Sequence, residues 1–133
     1  MEVESVVRAL FDEAWNDQRF ENVEGVFAES FSLHMGATSR LTTVDELKVI
    51  VGRWHEGFPD FGFVVHAVVA SGERAAVHAT LHGTHRGRWN DLEATGHSIA
   101  VQHMFFFRFE NQRIVEVWEL LDRDGLCRQL TGG

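Results

Sequence analysis

Apolar residues recur at intervals of three and four from Val3 to Trp15, at Val3, Val6, Val7, Leu10, Phe11, Ala14 and Trp15. That spacing marks one buried face of an amphipathic helix. Asn16 and Asp17 suit its end. A second short helix is expected over Phe20 to Ala28, with Phe20, Val23, Val26 and Phe27 inward and Gly25 weakening it. "FSLHM", residues 31–35, reads as a short strand. In "TTVDELKVIVGRW" Thr43 and Glu46 form a capping box ahead of Leu47, Ile50, Val51 and Trp54, the stripe of a third helix. The only proline, Pro59 in "GFPDF", stops that helix and turns the chain toward a sheet.

Four strands follow, from Phe61 to Ala70, Ala75 to His85, Ser98 to Phe109 and Ile114 to Leu121, joined by "SGER", "RGRWNDLEATG" and "ENQR". Helices first and strands after predict an α+β domain, with helices packed on one face of a curved antiparallel sheet. Charge fixes the register of the last hairpin. A three-residue loop of Asn111, Gln112 and Arg113 sets Glu110 opposite Ile114, Arg108 opposite Glu116, Phe106 opposite Trp118 and Phe105 opposite Glu119. Such opposite-charge and aromatic pairs stabilise by roughly 0.2–1 kcal/mol each, whereas a two-residue loop sets Arg108 against Val115.

That register gathers His103, Phe105, Phe107, Val115, Val117, Glu119 and Leu121 on one face. Glu119 therefore lies among hydrocarbon with His103 diagonal to it. A carboxylate in an apolar pocket beside a second titrating group is the setting that proton abstraction next to a carbonyl requires. The opposite face mixes Gln102, Arg108, Glu116 and Asp122 with Met104, Phe106, Trp118 and Leu120. This suits a partly covered outer surface and a homodimer contact. Asp122, opposite Gln102, is expected to bond backbone or side chains where the strand ends, and Asp124 and Gly125 read as a turn.

Composition narrows the function classes. A chain of 133 residues forms one domain, residues 1–133, able to bury roughly two thirds of its unfolded surface. The formal net charge of −8 leaves no basic stripe for phosphates, so nucleic acid is not an expected partner. No apolar run approaches the ~18 residues of a membrane span, and the acidic start is unlike a secretory leader. Cys127 is alone, in keeping with a reducing cytoplasm. The eight histidines do not gather at metal spacing: His78 and His82 share a strand face without an acidic ligand, and His82 and His85 face opposite ways. No metal is expected.

Several stretches together resemble the SnoaL-like polyketide cyclases of the NTF2-like superfamily: "AWN" ending the first helix, "FPDF" leading into the sheet, "GTHRG" before a loop ending "ATG", and the tail "RIVEVWELLDRDGLCRQL". The resemblance covers nearly the whole chain and implies a cone-shaped α+β fold. It also implies an intramolecular aldol reaction without cofactor or metal. In these cyclases an aspartate on the last strand is the acid/base, and counting back from the tail places Glu119 there. Their glutamine and histidine on the preceding strand fall on His103 and Phe105, so the imidazole has moved one pleat along.

The expected site therefore has Glu119 as acid/base and His103 as its partner. Trp15, Phe31, Leu33, His34, Trp54, Phe58, Phe105 and Phe107 are candidates to line a cavity for a small apolar carbonyl compound. Trp89, in a polar loop with Arg86 and Arg88, folds over the mouth or packs on the rim. The expected activity is that of a cofactor-independent cyclase, acting as a lyase or isomerase. Two other readings share the fold: an epoxide hydrolase, which needs two aspartates and an arginine around one water, and a module that only binds a ligand. Arg108, on the face opposite Glu119, counts against the hydrolase.

Overall fold

A computed structural model describes residues 2–132. Helix α1 (Val3–Ala9) continues without a break into a π-helical stretch, Leu10–Asn16. There follow β1 (Phe27–Met35), β2 (Thr38–Thr42), α2 (Val44–Gly57), β3 (Gly62–Ser71), β4 (Arg74–Thr84), β5 (Ser98–Glu110), β6 (Arg113–Leu121) and α3 (Arg123–Thr131). One unclosed six-stranded sheet runs in the order β2-β1-β6-β5-β4-β3. Its pairs are antiparallel except β1 with β6, which run parallel, so the sheet is mixed. The α+β cone expected from the sequence is the architecture found, with this one ladder as the departure from an all-antiparallel sheet.

Three local elements differ from expectation. Only Glu24–Val26 forms a helical turn where a second helix was expected, and Phe27 already begins β1. Gly25 and the β-branched Val23 and Val26 favour helix weakly, and strand geometry lets Phe27 lie against Phe31 at 4.8 Å. Strand β2 was not foreseen; Gly36, at φ +61°, turns the chain back so that Met35 pairs with Thr38. The tail is a helix rather than a turn. Asp122 accepts a hydrogen bond from the Gly125 amide at 2.9 Å, and a Cβ at position 125 would fall 2.3 Å from its Oδ2. Asp122 thus caps α3, whose Leu126 and Leu130 are buried, while its own amide bonds the Gln102 carbonyl. The capping box of α2 forms at Thr43, which accepts from the Glu46 amide, and the Glu46 carboxylate bonds Thr42.

The last hairpin keeps the expected body but not the expected turn. Arg108 pairs with Glu116, Phe106 with Trp118 and Phe105 with Glu119, yet Phe109 pairs with Ile114 and Glu110 with Arg113. The loop is therefore only Asn111 and Gln112, both at positive φ, and Val115 is an extra residue bulged out of β6. Ile114, not Val115, takes the buried place.

Along β4 and β5 the residues of one face are buried in alternation, from Ala75 to Leu81 and from Ile99 to Phe109. Phe11 of the π-helical stretch is the hub against this face. Its ring stacks on Trp15 at 5.1 Å and meets Phe105 and Phe63 edge-on at 4.9 and 5.4 Å. Contacts of this kind contribute about 0.5–1.5 kcal/mol each beyond the area they bury. On the outer face Glu116 accepts from His34 at 2.7 Å and from Arg108 at 3.0 Å, and Arg108 also pairs with Glu110.

The hydrogen bond from His34, and then that from Arg108, hold the Glu116 carboxyl below the ordinary glutamate range against the opposing effect of burial. A depressed carboxylate stabilises the fold above its unfolded pKa, about 4.3 for glutamate, and loses that contribution as pH falls through the folded value. Replacing Glu116 by Gln should lower the urea midpoint at pH 7, an effect of up to about 1 kcal/mol for this partly solvated cluster. The gap from the unmodified protein should close toward pH 3. A gap that stays constant from pH 7 to pH 3 would refute this assignment.

Candidate active site

Glu119 of β6 faces inward between Val117 and Leu121, directly across from Phe105. One pleat along β5, His103 places its Nε2 2.9 Å from Glu119 Oε1. Both side chains are largely covered, at 6% and 15% exposure. The His103 ring stacks on Phe105 with centroids 4.2 Å apart and meets Phe63 edge-on, so it is held on two sides. Its Nδ1 is buried with no partner. A proton on Nε2 therefore gives the carboxylate a donor and leaves only a lone pair unsatisfied at Nδ1, whereas the other tautomer would strand a buried N–H.

The pair opens into a cavity of about 290 Å³. Trp15 and Phe63 form one wall, Leu33 and Met35 of β1 another, and Leu47, Ile50 and Trp54 of α2 a third, with Phe61, Leu121, Gly36 and the outer residue Leu120 also lining it. Arg53, Asn90 and Arg123 line it from exposed positions, so they mark its opening.

Backbone and side-chain ties fix these walls. The Asn16 side-chain amide accepts from the Phe63 N–H at 2.7 Å and donates to the Phe63 carbonyl at 3.2 Å, so it clips the helix end onto β3 as a further strand residue would. His55 bonds the Trp15 carbonyl at 2.7 Å and joins α2 to the same end. The Gly57 carbonyl accepts from the Arg86 and Gly87 amides. A Cβ at Gly57 would stand 2.6 Å from that of Trp89, so glycine here lets the loop close in and lay Trp89 against Trp54 at 4.6 Å. Trp89 packs on the rim and lines the cavity.

Of the residues expected to form the site, Glu119, His103, Trp15, Leu33 and Trp54 come together at the cavity. Phe31, Phe58, Phe105 and Phe107 do not line it, although all are buried. Phe105 backs His103, Phe107 lies beside Phe105 at 5.9 Å, Phe58 stacks on His85, and Phe31 rests on Phe27. Strand parity puts a ring on the inner face without saying whether helix or space lies beyond it. His34 is placed on the outer face, bonded to Ser39 and Glu116 and stacked on Trp118, because Leu33 and Met35 take the inner positions.

Sequence reasoning missed Phe61, Phe63, Met35, Leu47, Ile50, Arg53 and Arg123 as lining residues. Leu47 and Ile50 lie on the apolar stripe expected for the third helix, but nothing local marked Arg53 or Arg123. Among the described residues no three His, Cys, Asp or Glu side chains converge as metal ligands. His66 bonds Thr80, His78 bonds Gln102, and His85 bonds Thr95.

The sequence profile of the SnoaL-like polyketide cyclase family matches residues 5–130. Among solved structures, IdmH from Streptomyces antibioticus superposes with a TM-score of 0.85 at 20% identity, covering 98% of this chain and 99% of that one. A SnoaL-like polyketide cyclase from Agrobacterium tumefaciens gives 0.80 at 22% identity, with 98% of each chain covered. AclR from Streptomyces galilaeus, which carries a provisional hydroxylase assignment, gives 0.84 at 19% identity over 98% of this chain and 81% of that one. At such identities the likeness carries the fold and not the reaction. No curated protein matches the chain.

The His103–Glu119 bond is testable through stability. In a double-mutant cycle of His103→Leu and Glu119→Gln, followed by urea unfolding, the two groups should couple by about 1–3 kcal/mol, as expected for a covered hydrogen bond to a charged group. Additive effects would show that the two side chains act independently.

Proposed function

The chain belongs to the SnoaL-like polyketide cyclase family, and on that footing we propose that it is a cyclase or isomerase in which Glu119 removes a proton alpha to a carbonyl. The observation that carries this reading is that, among the described residues, a single carboxylate lines a largely apolar cavity, with one oxygen held by an imidazole and the other without a protein hydrogen bond. His103 fixes the carboxylate through Oε1, so Oε2 is the atom that takes the proton. The electrons of the broken C–H bond form an enolate. In the cyclase reaction that enolate attacks a second carbonyl of the same molecule, a C–C bond forms, and the proton on Glu119 returns to the new alkoxide. Nothing in this sequence of steps requires a cofactor.

The cavity's contribution is to hold two carbonyls of one chain within bonding reach and to exclude water from the enolate. Its volume, about 290 Å³, lies at the small end of ligand pockets, about 300–1,000 Å³. That favours a compact substrate, largely apolar, of two or three fused rings or a chain folded to that size. The epoxide hydrolase reading has less support. Glu119 is the one acidic lining residue, and Arg108 points away from the cavity into the cluster with Glu110 and Glu116.

We further propose a homodimer through the outer sheet face, supported by the exposure of Met104, Phe106 and Leu120 beside Trp118. A reducing cytoplasm is the proposed setting, supported by the lone Cys127. Among the described residues no helix is long and apolar enough to cross a membrane.

Proton exchange tests the chemistry directly. The protein should speed deuterium uptake at the alpha carbon of a β-diketone, and Glu119→Gln should reduce the rate by about 10²–10⁴ while the variant stays folded, its melting temperature lowered by no more than the loss of the His103 bond accounts for. An unchanged rate in that variant would leave only a ligand-binding module. For the assembly, Met104→Glu combined with Leu120→Glu should convert a dimer into a monomer in light scattering. A protein that is monomeric before substitution removes the dimer proposal.

A further inference from the structure

Three charged side chains line the cavity, and they are not placed alike. Glu119 is mostly covered, whereas Arg53 of α2 and Arg123, the first residue of α3, are exposed at the opening. Ion pairs of arginine among the described residues are made by Arg8, Arg19, Arg88, Arg108 and Arg128, so neither guanidinium at the opening is neutralised. A chain with 20 acidic and 12 basic residues thus surrounds its one cavity carboxylate with two unpaired cations. Helix stability does not explain Arg123. A cation in the first turn of a helix faces the positive end of the backbone dipole and is disfavoured there.

We infer that the substrate carries a carboxylate, held at the opening by Arg53 and Arg123, with its reactive carbonyl inside beside Glu119. This rests on the proton-abstraction reading of the same site. Guanidinium is the side chain whose planar fork matches a carboxylate, and two of them compensate an anion that must leave bulk water. The arrangement also sets direction. Glu119 repels an acid that enters carboxylate-first, the arginines attract one that enters ring-first, and the carbon to be deprotonated is thereby delivered to the base. An ester or amide of the same skeleton lacks this orienting force.

The probes are 2-naphthoate and anthracene-2-carboxylate against their methyl esters, with binding read from the fluorescence of Trp15, Trp54 and Trp89, which all line the cavity. At least one acid should bind about tenfold or more tighter than its ester, and its affinity should fall with added salt while that of the ester does not. The double variant Arg53→Gln, Arg123→Gln should lose that preference with an unchanged melting temperature, and Arg53→Lys, Arg123→Lys should keep part of it. No acid bound more tightly than its ester, absence of all binding included, overturns the inference, as does a preference that survives the double glutamine variant. Deuterium exchange on a neutral β-diketone separates the two claims. Acid preference without exchange upholds the carboxylate subsite at Arg53 and Arg123 and sinks the catalytic reading, whereas exchange without acid preference overturns this inference alone.

Discussion

One extra residue in β6 decides which side of the sheet carries the chemistry. The Asn111–Gln112 turn pairs Glu110 with Arg113 and Phe109 with Ile114. Continued without interruption, that pairing would set Arg108 opposite Val115 and Glu119 opposite Met104, on the outer face. Because side chains alternate with period two, a single inserted residue exchanges the faces of everything beyond it. The bulge at Val115 is that insertion. Beyond it Arg108 meets Glu116, Phe106 meets Trp118 at 5.6 Å, and Glu119 turns inward to His103. These pairs hold the shifted register, since slipping back would bury Glu116 and expose Glu119's neighbours Val117 and Leu121.

An inward acid then constrains its surroundings. Burial of a polar side chain without a partner is costly, and the only partner offered is His103. His103 in turn leaves Nδ1 unsatisfied, so beyond its one bond to Glu119 its position is enforced by packing: Phe105 on one side and Phe63 on another. Phe63 is fixed by the Asn16 amide, and Asn16 ends the helix that carries Phe11 and Trp15. A chain of contacts thus runs from the N-terminal helix to the carboxylate. A tightly packed apolar site would be more stable with leucine at position 119; a local rule broken at a cavity wall is what a functional position looks like.

Much of this was legible because alternation and helical spacing are local signals. The first helix, the Thr43 capping box, five of the six strands and the body of the last register all follow from them. The register was reached through the charge pair Arg108–Glu116 and the ring pair Phe106–Trp118, although the loop was read one residue too long; the bulge absorbs the difference. What was lost depends on contacts distant in sequence. The parallel ladder of β1 on β6 joins Leu33 to Val117 across the whole chain, and it determines that Leu33 and Met35 face the cavity and His34 does not. The tail helix was hidden because Asp122 and Gly125 carry the same residue types as a turn. Core rings such as Phe31 and Phe107 share residue type and inward facing with the wall ring Phe63, and only the shape of the finished cone separates them.

The two faces of β5 divide the work between adjacent residues. His103, Phe105 and Phe107 point to the core and cavity, while Met104, Phe106 and Arg108 point outward. A strand cannot shift to suit one face without moving the other, so a partner seated on Met104 and Phe106 would also stiffen the backbone that positions His103. In the proposed dimer the outer contact would therefore support the geometry of a site it meets only at Leu120. The reverse also holds: the inner stack of His103 on Phe105 and Phe107 stiffens the same backbone that presents the outward residues. In the proposed dimer, association and the proposed proton transfer would draw on the same rigid strand, which gives a physical reason for an apolar outer face on a sheet whose inner face already supplies the core.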